Sequence, residues 1–178
     1  MALTLISTST ASASATLDIT SGITSTYDSY EFHFVNMHPS AASASFDFQV
    51  NAAGQTGFNE VMTTTFFRAF HAEDDSAAVL QYEIYHDQAQ GTAYQKITQF
   101  IGNDNDQSGS GILTLYAPSS TTYVKHFVSR SNHYHGSDYS MDNHAAGYIN
   151  TTNAIDEISF KFNTGNIDDG TIKMFGVS

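Results

Sequence analysis

The residues with the most chemistry to offer stand in two short stretches. The first is GNDNDQSGSG, Gly102 to Gly111, in which Asp104, Asp106 and Ser108 occupy alternate positions and Gly109 follows. Alternating oxygen donors ahead of a glycine reproduce the first half of an EF-hand-type calcium loop. Leu115 stands where the bidentate glutamate belongs, and no helix pair flanks the loop. An acidic, glycine-rich β-turn accounts for the same residues without calcium, and that is the expectation. The second stretch is SNHYHGSDYSMDNH, Ser131 to His144, which holds three of the eight histidines. On a strand, His133 and His135 share a face, and imidazoles near Asp138, Asp142 and His144 form a donor set that suits zinc or iron. In a homotrimer, three such histidine pairs around the axis would build one octahedral site. The plainer expectation is a polar loop with titrating histidines and no cofactor.

Other signatures of catalysis are missing. The chain has no G-x-S-x-G, no phosphate-binding loop, no H-E-x-x-H and no cysteine nucleophile. Asp18, Glu31 and Asp47 fall on the polar phases of strand-like stretches, where solvated faces are expected. The carboxylate pair of a glycosidase is a spatial partnership that sequence does not reveal. No catalytic residue is assigned, and the chain reads as a protein other than an enzyme. Asn150-Thr151-Thr152 matches a glycosylation sequon; without a secretory leader it reads as a polar strand end.

These residues must be positioned by β-structure. The 178 residues suit one domain with a core large enough to need no staples. Cysteine and tryptophan are absent, while 13 Phe and 10 Tyr supply the aromatic bulk that strands favour. The 20 Thr and 21 Ser favour strands and turns over helices. Six Lys and Arg against 18 Asp and Glu give a net charge of -12. That balance repels phosphate backbones and anionic membrane surfaces, so neither nucleic acid nor membrane is an expected partner. The opening MALTLISTSTASASATLDIT lacks the basic start and long apolar run of a signal peptide, and synthesis in a cytoplasm is expected.

Period-2 alternation predicts strands over Ala15–Thr20, Tyr30–Val35, Phe46–Val50 and Val61–His71. Pro39 ends the second of these, because proline removes a ladder donor. Further strands are expected at Gln95–Ile101, Ile112–Ala117, Tyr123–Arg130 and Ala145–Thr151. The stretch Ala72–Gln90 fits either a short helix begun by Glu73–Asp75 or strand alternation at Tyr82, Ile84 and His86. Ile158–Asn163 and Thr171–Phe175 alternate around the Gly/Asn/Asp-rich Asn163–Gly170, which reads as a hairpin. Its last strand, so close to the chain end, is expected to pair with one laid down early. The fold class that follows is all-β, a jelly-roll-like antiparallel β-sandwich in a single domain. Residues 1–14 form an N-terminal arm or first strand that contacts a partner, and residues 15–178 form the sandwich. Leu17, Ile19, Phe32, Phe34, Phe46, Phe48, Phe160 and Phe162 are expected inside, whereas Phe175 and Val177 fall on an outer phase that needs cover.

The segments TYDSYEFHFVNMHP, GNDNDQSGSG, PSSTTYVKHFVS, GYINTTNAIDEISFKF and GNIDDGTIKMFGVS together resemble a family of virion structural proteins of tailed bacteriophages from aquatic environments. The closing pattern G-N-I-x-x-G-T-I-K-x-x-G is the most specific part. The resemblance implies a β-sandwich on the outer surface of the virion head or tail. It further implies either a capsid decoration (cement) protein bound to the major capsid protein or another virion protein, or a tail-fibre or tail-tip module. The first would stabilise the head as a homo-oligomer, a trimer, with its Ser/Thr/Ala arm crossing to a neighbour as an added strand. The second would recognise a bacterial surface glycan, with Ser131–His144 in contact and Tyr134 and Tyr139 stacking on sugars. The missing shaft or coiled coil favours the first.

Overall fold

A computed structural model describes residues 2–178. Twelve strands form two antiparallel sheets packed face to face, and no helix occurs among the described residues. The strands are β1 Leu3–Thr10, β2 Leu17–Ile19, β3 Ser29–Pro39, β4 Phe46–Ala52, β5 Met62–Ala72, β6 Ala78–Tyr82, β7 Gln95–Lys96, β8 Gly109–Tyr116, β9 Lys125–His135, β10 Tyr139–Ile149, β11 Ile155–Phe162 and β12 Ile167–Val177. The large sheet has the order β1-β12-β3-β8-β9-β10-β5-β6, and the small one β2-β11-β4-β7. Twelve strands are more than the eight of the jelly-roll pattern; the surplus widens one sheet.

The core is aromatic because alternation turns one phenylalanine set inward from each sheet. Phe32 meets Phe160 at 5.7 Å, Phe34 meets Phe46 at 5.5 Å and Phe48 meets Phe127 edge-on at 4.9 Å, all across the gap between sheets. Each such ring contributes about 1.5–3 kcal/mol by leaving water. All eight residues expected inside join this core, Leu17 at its partly buried margin.

The expected C-terminal hairpin does not form. β11 lies in the small sheet against β2 and β4, whereas β12 lies in the large one between β1 and β3. Alternation identifies strands but not their partners. The turn after Phe162 bonds to the β3–β4 corner instead: Asn163 N donates to Ser45 O and Ser40 N to Asn166 O, both at 3.0 Å. Two connections therefore cross between the sheets side by side. The other half of that expectation holds, for the last strand pairs with the first, Leu3 opposite Val177. Leu3–Thr10 is thus an edge strand of its own sheet.

Val177 is buried, and Phe175 is half-covered by the His33 ring 4.7 Å away, so the chain itself supplies the cover expected of a partner. Ala72–Gln90 contains β6 and a turn, without a helix, and only Gln95–Lys96 of Gln95–Ile101 is strand. Ser131–His144 is no loop: β9 and β10 run through it as a hairpin that turns at 136–138.

Candidate functional site

The expectation that Asp47 faces solvent fails, and the failure exposes the most unusual chemistry in the molecule. Phe46, Phe48 and Val50 turn into the sandwich, so Asp47, Gln49 and Asn51 point out of the small sheet. That outer face is roofed by the chain on either side of β5. The Gln49 amide reaches the carbonyls of Glu60, Thr92 and Ala93 at 3.0, 3.2 and 3.1 Å. Asn51 donates to Glu157 and accepts from the Phe58 amide, each at 2.7 Å. Every residue of β4 is buried as a result.

Asp47 stands in register with Lys96 of β7 on one side and Lys161 of β11 on the other. Burial pushes its carboxyl up to about 7, against the lowering pull of the two ammoniums. Neither lysine closes an ion pair with it among the described residues, and its Oδ1 is buried without a hydrogen-bond partner. Above it opens a cavity of about 450 Å³ between the small sheet and the segment carrying Tyr85, Gln88 and Tyr94. Tyr94 is fixed by a relay in which its hydroxyl donates to Ser159 Oγ at 3.0 Å and Ser159 donates to Asp18 at 2.6 Å. The Lys161 ammonium sits 4.0 Å from the centre of the Tyr94 ring.

A second polar cluster adjoins the first, its His86 lining the same cavity. Arg68 and Glu83 approach to 2.7 Å, an ion pair rather than an aligned hydrogen bond. Arg68 also donates to Gln99 at 3.0 Å, and Gln99 meets His86 Nδ1 at 2.7 Å. His133 is buried beside this group with Nδ1 3.0 Å from the Asn143 amide, and burial lowers it to about 3. His135 shares its face, half-exposed and stacked with Tyr139 at 5.1 Å. Tyr139 also stacks with Phe70 at 5.2 Å, and the Tyr134 hydroxyl donates to Asp138 at 3.1 Å, so both tyrosines already have partners.

Asp104 and Asp106 are exposed in a turn closed by Gln107 N donating to Asp104 O at 2.8 Å, and Ser108 is half-buried beside it. Asp106 and Ser108 share a cleft with Asp168 and Asp169. Among the described residues, no three His, Asp or Glu side chains come together as a metal would require. Glu31, the third carboxylate of the polar phases, is half-buried at 2.7 Å from His33.

The two ends of the large sheet form the remaining feature. Both edge strands, LTLISTST and AVLQY, carry no charge. Leu3, Leu5, Leu80 and Tyr82 are exposed on them, and Ile84 and Tyr85 continue the patch beyond β6, with Leu80 at 76% and Tyr85 at 84% exposure. Neither the edge position of these two strands nor the burial of Asp47 has a signal in local sequence, because both depend on which strands become neighbours. Compared with family models, curated proteins and solved structures, the chain matches none of them.

Proposed function

We propose that this chain is a structural subunit of a bacteriophage virion, a capsid decoration protein that holds neighbouring shell subunits together. The observation that supports it best is the β6 edge. Soluble proteins that stay monomeric blunt their edges with lysine, proline or charge; this edge has none, in a chain of net charge -12. An uncharged edge beside exposed Leu80 and Ile84 is suited to accept a strand or an apolar face from another chain. A cyclic trimer needs two different complementary surfaces on each subunit, and the β1 and β6 edges are such a pair. The partners are further copies of this chain and the major capsid protein or another virion protein, at the outer surface of the particle. The acidic, cysteine-free sandwich suits that setting, and the resemblance carried by Gly165–Gly176 points the same way.

The test is a phage lacking this gene, assayed for host adsorption and for the temperature at which capsids release DNA. A decoration protein stabilises the particle by mass action, so release should move to lower temperature with adsorption intact. Lost adsorption with unchanged particle stability would overturn the reading in favour of a receptor-binding tail module.

A further inference from the structure

We propose that the cavity over Asp47 is a binding site for a sugar acid, a pyranose carrying a carboxylate. One buried acceptor at the cavity wall, Asp47 Oδ1, has no donor. A buried polar atom left unpaired is costly, and one at a cavity wall calls for a ligand with a hydrogen-bond donor. Lys96 and Lys161 also line it, and neither has a carboxylate partner. Asp87 lines it as well, so two lysines and two aspartates meet there in a chain with only six lysines and arginines.

These features decide between ligand classes. A cationic ligand would satisfy Asp47 but meet two ammoniums. A simple anion would satisfy the lysines but leave Asp47 without a donor. A ligand with hydroxyls and one carboxylate satisfies both sets: a hydroxyl donates to Asp47, and the carboxylate pairs with the ammoniums of Lys96 and Lys161. Tyr85, at the rim and 84% exposed, offers a ring face to the C–H face of a pyranose. The volume of about 450 Å³ lies in the range of small-molecule sites, roughly 300–1,000 Å³. The site is also held ready: the relay through Ser159 to Asp18 fixes Tyr94, and the Tyr94 ring holds Lys161. Preorganisation of this kind lowers the cost of binding.

The experiment is calorimetric titration of the full chain with galacturonate, glucuronate and N-acetylneuraminate, each against its neutral counterpart or a neutral sugar of equal size. At least one acid should bind at millimolar concentration or tighter, and about ten-fold more tightly than its neutral partner. Lys161→Gln should erase that preference, and Asp47→Asn should weaken acid and neutral sugar alike. Melting curves of both variants establish that they fold; Lys96→Gln, a more peripheral change, serves if either does not. Absence of binding by all three acids overturns the proposal. So does equal binding of acid and neutral sugars, or binding unchanged in the lysine variants.

Discussion

Asp47 and His133 are buried groups whose protonation should shape stability in opposite directions. The folded state holds the Asp47 proton up to about pH 7, whereas an unfolded aspartate releases it near 3.8. The native state therefore binds the extra proton between those values, and stability falls as pH rises from about 4 to about 7. Asp47→Asn removes that loss. It should stabilise the protein by about 2–4 kcal/mol at pH 8, an advantage that fades toward pH 4; urea unfolding at several pH values measures it. For His133 the sign reverses. Its folded pKa is about 3 and its unfolded one 6.5, so stability is full above 6.5 and declines as pH falls through that window. His86 and His135, also lowered by burial, add to the same acid limb. His133→Asn keeps an acceptor near the Asn143 amide and should cost about 1 kcal/mol at pH 7 from lost packing. Its acid limb should be visibly shallower than the parent's. Neither environment was legible in sequence, where Asp47 occupies an ordinary polar phase and His133 an apparent loop. What buries them is contact with segments dozens of residues away.

At the scale of elements, the strands themselves were legible wherever one face is buried and the other wet. Tyr30–Val35 and Phe46–Val50 became the centres of β3 and β4 because alternating aromatic residues have no other place to go. Partnership was legible only in part. The pairing of the last strand with the first was foreseeable from its place at the chain end, but the separation of β11 from β12 was not. It depends on the Ser40–Ser45 corner, which captures the Asn163–Asn166 turn. Gly170 marks the irregular part of β12, at φ 132° opposite the shifted Asn36–Met37 of β3. A Cβ there would lie 2.9 Å from Met37 Cα and 3.0 Å from Asn36 O. Gly170→Ala should therefore destabilise by about 1–3 kcal/mol through backbone strain. A thermal melt of that variant beside the parent checks it, and an unchanged melting temperature would show that β12 can straighten.

For the whole molecule, the decisive contrast is between an acidic body and two uncharged sheet edges. Twelve net negative charges oppose close approach of two bodies, so the proposed association falls to the places where charge is missing. The most direct test of an assembly role is sedimentation velocity at micromolar concentration, comparing the parent protein with Leu80→Lys. Leu80 is 76% exposed, so the substitution should leave the far-ultraviolet circular dichroism unchanged while placing a charge on the β6 edge. The account predicts a trimer for the parent and a monomer for the variant. A parent protein that sediments as a monomer, and that shows no shift when purified capsids are added, would contradict it.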